Sequence, residues 1–384
     1  MEPPQARIAK PGRPISTSEG LFDERSQGDR CLDHRVFHQP VKEFMMTLKV
    51  SIILPTFNRM NFIPTAISSI KSQLCQDWEL IVVDDGSVDD TISVLTELIR
   101  DIAEKVTILT QENSGPGIAR NNGIKASRGL YIAFFDSDDT WEEDHLSACL
   151  QVLDRNPDVD WVYSSFRRAN FATNFIIDPD EFRRNGVAAP FLTLKAETRG
   201  HLKVISDSRA LSCMIEHGLC IGLRASVVRR RVFDVVQFPK SRIGEDQALY
   251  IHALCRGFRF GYLESIQATA FVHDSNISDV SGKNQVGHSV AVQQELLGSL
   301  KSLIDLPITS TEKRILRRRI ADVLFWNIGY LYANSGNHRS ALRFMREGIF
   351  WYPRNFLLWK TYVATMLKWM IQKCVHTKRA FLGG

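Results

Sequence analysis

The chain has 384 residues and seven cysteines, but no Cys-x-x-Cys pair. Neither a zinc site of the usual ligand spacing nor a disulfide framework is expected. Cys31, Cys75, Cys149, Cys213, Cys220, Cys255 and Cys374 are scattered, several of them in apolar runs, and read as buried free thiols of a reducing compartment. No run of eighteen uncharged apolar residues occurs, so a simple membrane span is not expected. Residues 1–44 lack an apolar stretch of signal-peptide length. They are rich in Pro, Arg, Asp and Gln and read as disordered. Met45-Met46 falls immediately before the first strand, where natural translation is expected to begin. A GxGxxG fingerprint is missing after that strand, which disfavours a dinucleotide cofactor such as NAD. A Gly-rich, Lys-containing loop is missing too, which disfavours nucleotidyl transfer.

What is present is an ordinary globular composition, with 44% apolar and 24% charged residues. The net charge of +5 is modest, but it is unevenly spread. Acids gather at Asp84, Asp85, Asp89 and Asp90, and again at Asp136, Asp138 and Asp139. Bases gather at Lys313-Arg314 and Arg317-Arg318-Arg319. This asymmetry suits a metal-phosphate site in one half and an anionic surface partner for the other. No nucleic-acid partner is expected.

From residue 49 to about 164 the pattern alternates. Strands are expected at Val50-Leu54, Leu80-Val83, 106–110, Leu130-Phe135 and Asp160-Ser164. Amphipathic helices are expected at 61–73, 89–102, 116–127 and 142–154. Continuous apolar strands between helices imply a mainly parallel sheet covered on both faces. Ligands of such sheets bind at the carboxyl ends of strands, where both acidic clusters fall. Residues 165–243 are irregular, with a helical stretch near 224–231. A helix follows at 244–257, two short strands at 259–272, and helices over 286–372.

Four constellations carry chemistry. Phe134-Phe135-Asp136-Ser137-Asp138-Asp139 places three carboxylates after a buried strand. Either a hard divalent cation, Mg²⁺ or Mn²⁺, relieves their repulsion, or the segment is a solvated acidic turn capping the next helix. Val82-Val83-Asp84-Asp85-Gly86-Ser87 ends the second strand with a carboxylate able to accept from a ribose hydroxyl or a base N–H, or it is simply a capped turn. Gly244-Glu245-Asp246-Gln247 opens a helix whose dipole keeps a carboxylate ionised. It reads as a general base or as an ordinary acidic N-terminus. Phe271-Val272-His273-Asp274-Ser275-Asn276-Ile277-Ser278 offers His273 as a metal ligand or as a structural histidine.

Taken in order, PTFNR, DWELIVVDDGSVDDT and GPGIARNNGIKASRGLYIAFFDSDD resemble glycosyltransferase family 2, strongly over 49–165 and weakly to about 278. The resemblance implies a GT-A fold, an α/β sheet flanked by helices. It implies a UDP-, GDP- or dTDP-sugar donor, with Pro55, Thr56 and Asp85 lining the nucleoside pocket and Arg120 near the donor. Asp136 and Asp138 match the family's DXD motif, with Asp139 as a substitute ligand beside His273. Asp246 matches the base of the family's ED motif. The implied activity is inverting, metal-dependent transfer of a sugar to the hydroxyl of a saccharide or lipid-linked acceptor, in polysaccharide or glycolipid synthesis. Polyprenyl-phosphate glycosyl transfer, or a catalytically silent nucleotide-sugar binding protein, are the alternatives. A cytoplasmic setting is expected, with a peripheral membrane contact.

The expected organisation is 1–44 disordered, 45–285 catalytic and 286–384 helical. Phe325, Ile328, Gly329, Tyr332, Ala341, Gly348 and Pro353 resemble one tetratricopeptide-type hairpin, expected to pack on the catalytic domain because a single repeat cannot bury its own face. Residues 356–372, with Lys360, Lys368 and Lys373 in or beside them, read as an interfacial helix or as a buried packing helix.

Overall fold

The computed structural model describes residues 48–217, 222–276 and 285–382. The expectations for 1–44, Met45-Met46, Cys31, Cys220, Ile277 and Ser278 lie outside them, as does the side chain of Cys374. Strands β1 (Val50–Thr56), β2 (Trp78–Asp84), β3 (Val106–Thr110) and β4 (Tyr131–Phe134) are parallel and lie in the order β3-β2-β1-β4. Helices α1 (Ile63–Lys71), α2 (Thr91–Leu98) and α3 (Pro116–Ala126) connect them.

Side chains of β1 alternate between two cores. Ile53 joins Ile81, Phe134 and Ala119 of α3. Ile52 and Leu54 join Leu80, Val82 and Ile67 of α1. Both faces are covered, so the strand shows no regular apolar–polar alternation, and its Ser51 is buried and donates to Glu79 Oε1 at 2.7 Å. Helix α3 comes very close to β1 at Gly123, where a Cβ would meet Ile53 Cγ2 at 2.6 Å.

The second half of the sheet is mixed. It comprises β5 (Thr140–Trp141), β6 (Trp161–Asn170), β7 (Ile176–Asp178), β8 (Ala196–Arg199), β9 (Leu202–Ile205), β10 (Ser226–Arg229) and β11 (Phe260–Val272), with helices α4 (His145–Arg155), α5 (Ala210–His217) and α6 (Glu245–Cys255). The order continues β4-β10-β6-β11-β9-β8, with β6 and β11 parallel and β10 antiparallel to both its neighbours.

Three local expectations are corrected here. The stretch near 224–231 is a strand between short 3₁₀ turns, because pairing with β4 and β6 overrides its local preference. The two strands expected at 259–272 are one strand with irregular register between Leu263 and Ala268. The fifth expected strand runs on to Asn170, because residues 165–170 pair along the backbone with β11 and β7.

The C-terminal region packs onto the sheet domain. Helices α7 (Gln285–Ser302) and α8 (Ser310–Asp322) place Val290, Leu297, Leu316 and Ile320 in the same core as α6. A capping box between Thr309 and Glu312 starts α8. Arg319 donates to Ile215 O at 2.8 Å and to Gln247 Oε1 at 2.9 Å, tying α8 to α5 and α6. A π-helical segment (Val323–Gly329), α9 (Tyr330–Asn334) and α10 (His338–Trp351) form the expected hairpin. A Cβ on Gly348 would meet Phe325 Cβ at 3.1 Å. The last helix is α11 (Phe356–Leu382). Cys75, Cys149, Cys213 and Cys255 are free thiols, of which only Cys149 is fully buried.

Candidate active site

The carboxyl ends of β1, β2 and β4, the N-terminus of α6 and the end of β11 converge. β4 ends at Phe134, Phe135 donates its N–H to Ile53 O at 3.0 Å, and Asp136 follows. Asp136 Oδ1 accepts from Arg120 of α3 at 2.7 Å, and Arg120 also donates to Glu245 Oε1 at 2.8 Å. One buried guanidinium therefore joins the acidic segment after β4 to the start of α6. The Arg120 ring of donors is stacked over Phe238, 5.5 Å from its centroid.

Arg224, in the turn before β10, closes the same cluster from the other side. It pairs with Asp139 and lies 3.6 Å from Asp136 Oδ2. Asp139 is sealed from solvent, and its other oxygen accepts from Phe271 N at 3.2 Å. Both its oxygens are taken, so it fixes the end of β11 rather than facing the cleft.

Asp138 sits at the rim. Its Oδ2 lies 3.2 Å from both Arg59 Nε and His273 Nε2. His273 stacks on Phe62 with centroids 4.1 Å apart, and its Nδ1 lies 3.0 Å from Ser275 Oγ. Burial alone would raise the Asp138 carboxyl. The hydrogen bond from His273 and the charges of Arg59 and Arg224 together hold it below the usual range.

The expected nucleoside residues lie one strand away. Asp85 N donates to Thr56 O at 2.8 Å. The Asp85 carboxylate accepts from Gln111 Nε2 and Ser114 N, both at 2.7 Å, and from Gly115 N at 2.8 Å. Thr56 is buried, and its hydroxyl has no hydrogen-bond partner among the described residues. Pro55 beside it is half-buried.

Helix α6 starts at Gly244, whose φ of 73° is a left-handed conformation that glycine adopts without strain. Glu245 and Asp246 follow in the first turn. Asp246 is half-buried, and its Oδ1 accepts from Gln247 N at 2.6 Å. Burial raises its carboxyl, against the pull of that N–H and of Arg120. Burial, then repulsion from Asp246, pushes Glu245 up to about 7 despite Arg120.

Asp136, Asp138, Asp139, Arg120, His273 and Asp246 thus lie together in one cluster. The acids are neutralised from within by Arg59, Arg120 and Arg224, and among the described residues no three acidic, imidazole or thiol groups form a ready cation cage. The donor set that fits a divalent cation is the rim pair, Asp138 and His273. Arg224 and the role of Glu245 were missed from sequence. Arg224 lies 85 residues from Asp139 in a stretch without a motif. Arg59 was in view only as part of PTFNR.

Residues 51–232 match the family model described as glycosyl transferase family 2. This stretch, a little under half of the chain, is a glycosyltransferase family 2 domain. It is 36% identical over 135 residues to a glycosyltransferase of Rickettsia felis, covering 35% of this chain and 22% of that protein. It is 34% identical over 127 residues to chondroitin synthase of Escherichia coli, covering 33% and 18%. The chain thus spans about a fifth of the length of these curated relatives. In structure it resembles S. aureus TarS 1–349 in complex with UDP-GlcNAc, at a TM-score of 0.55 and 17% identity, over 78% of this chain and 80% of that one. It also resembles a mannosyltransferase of Pyrobaculum calidifontis in complex with GDP-Man and Mn²⁺, at 0.51 and 17%, over 85% and 88%. The family 2 domain here therefore has the GT-A fold.

Proposed function

We propose that the chain is an inverting, metal-dependent glycosyltransferase. It moves a sugar from a nucleoside diphosphate sugar to the hydroxyl of a saccharide or lipid-linked acceptor, in polysaccharide or glycolipid synthesis on the cytoplasmic side. The observation that carries this reading is Arg120, which bridges Asp136 of the DXD segment to Glu245 beside Asp246. A donor-side carboxylate and a candidate base are held as one unit. The family 2 relatives named for glycosyl transfer and polysaccharide synthesis, and GT-A structures holding UDP-GlcNAc or GDP-Man with Mn²⁺, support it.

In this reading Asp246 takes the proton of the acceptor hydroxyl as its oxygen attacks the anomeric carbon. The bond from that carbon to the diphosphate breaks, and the diphosphate leaves with the electron pair. A single displacement inverts the anomeric centre and needs no covalent nucleophile. The raised carboxyl of Asp246 makes it a stronger base than an exposed aspartate. Pro55, Thr56 and Asp85 line the nucleoside end. Asp138 and His273 would hold Mg²⁺ or Mn²⁺, with Asp136 behind them. That ion would supply neutralisation of the leaving diphosphate. Arg59 and Arg224 hold the carboxylates in place and balance their charge.

Thermal denaturation with UDP and GDP, with and without Mn²⁺, tests the site. A nucleotide at a hundred times its Kd stabilises by about 2.7 kcal/mol. The parent is expected to show that shift only with metal, and Asp138→Ala to lose it. An equal Mn²⁺-dependent shift in both proteins would remove Asp138 from the metal site.

A further inference from the structure

Helix α11 is 27 residues long, about 40 Å at 1.5 Å per residue. Its packing and exposed faces differ sharply. Leu358 is fully buried and joins Phe325, Met345 and Ile349 in a small core, with Tyr362 against it. On the opposite side Phe356 is 78% exposed, Trp359 46%, Val363 43%, Leu367 51% and Met370 52%. At 100° per residue these five fall within an arc of about 80°. One face of the helix is therefore a packing surface and the other an apolar stripe in water.

Three further observations say what covers the stripe. Residues 356–382 contain no Asp or Glu, but contain Lys360, Lys368, Lys373, Lys378 and Arg379. Lys360 is exposed at the edge of the stripe, where its stem can lie along apolar surface with the ammonium outside it, and Lys368 is exposed further round the helix. No helix among the described residues is long and apolar enough to cross a membrane. An aromatic and aliphatic stripe with only basic residues around it, too polar to span, has the composition of an interfacial helix. A second copy of the same helix is disfavoured. Closing two such stripes together would bring cations against cations with no acid to pair them, where helical seams use opposite charges at the flanks.

We propose that α11 seats the protein on an anionic lipid surface, with Phe356, Trp359, Val363, Leu367 and Met370 entering the interface and the lysines meeting the headgroups. The inference is independent of the sugar chemistry, because none of these residues touches the acidic cleft.

Flotation of the full chain with vesicles tests it. Vesicles of phosphatidylcholine alone are compared with vesicles containing phosphatidylglycerol. The parent is expected to float with anionic vesicles and much less with neutral ones. The triple variant Trp359→Gln, Leu367→Gln, Met370→Gln is expected to lose at least about tenfold in affinity, with an unchanged thermal midpoint. Lys360→Glu with Lys368→Glu is expected to lose the preference for anionic lipid while neutral binding stays at the parent's level. Absence of vesicle binding by the parent, or equal binding by the triple variant, overturns the proposal. A parent dimer in sedimentation velocity that the triple variant dissociates also overturns it, by assigning the stripe to a second copy.

Discussion

Strands β2 and β4 flank β1; β2 ends at Asp84 with Asp85 next, and β4 is followed within two residues by Asp136. The two ends are held in different ways. Asp85, after β2, accepts from two backbone amides and an amide side chain of the segment 111–115. Its donors are neutral and fixed by the chain. Asp136, Asp138 and Asp139, after β4, are held by Arg120, Arg224, Arg59 and His273. Those donors are three guanidiniums and an imidazole, carried on four separate segments. An amide cradle keeps its acid whether or not a ligand is present. A guanidinium cage can exchange partners with a cation or a phosphate, since all of them compete for the same oxygens. The first end is held rigid by neutral donors, and the second is held by charges that can be exchanged.

Breaking the cage should cost most. Arg120→Ala leaves Asp136 and Glu245 without their shared cation, and removal of one member of a buried ion pair costs about 3–5 kcal/mol. Denaturant unfolding at neutral pH should show that loss. The sign with pH follows from Glu245, whose carboxyl is raised to about 7. As pH falls through that value Glu245 becomes neutral in the parent too, so its share of the deficit shrinks. As pH rises the deficit grows to its full size. A loss below about 1 kcal/mol, or one that grows on acidification, would show that Arg120 does not carry the cage.

Breaking the cradle should cost less. Asp85→Ala leaves the Ser114 and Gly115 amides without their acceptor, for about 1–3 kcal/mol. It should also loosen the segment 111–115, read as faster amide hydrogen exchange at Ser114 and Gly115. Unchanged exchange there would mean that the cradle is held by other contacts, and the contrast between the two strand ends would fail.

The same contrast explains what could be read from sequence. A run such as Val82-Val83-Asp84-Asp85 or Phe134-Phe135-Asp136 is local. It gives the strand, its direction and the acid at its tip together, because a buried parallel strand is apolar along its whole length. The turn at Gly244 and the acids after it are equally local. Arg224 and β10 are not. Ser226–Arg229 is four residues long and is a strand only because β4 and β6 lie on either side of it. The repulsion within DSDD was legible as a problem, but its answer was not. The sequence pointed to a cation among the acids; the three arginines from other segments that also stand there were not legible. In α11 the packing reading describes one face, where Leu358 is core; Trp359 beside it is exposed.

The central claim is that Asp246 takes the acceptor's proton. Transfer to a hydroxyl acceptor at saturating donor, measured against pH for the parent and Asp246→Asn, tests it most directly. Asparagine keeps the size and the place at the helix start but cannot accept the proton. The parent's rate should fall on the acid side at a pH above the ordinary aspartate range, because burial raises this carboxyl and the base must be ionised to act. Asp246→Asn should bind donor nearly as the parent does, lose that acid limb, and turn over about 10² to 10⁴ times more slowly. Near-parental turnover with the acid limb intact would contradict the account. It would take Asp246 out of the chemistry and favour a phosphate acceptor, which is already ionised at neutral pH and has no proton to give up.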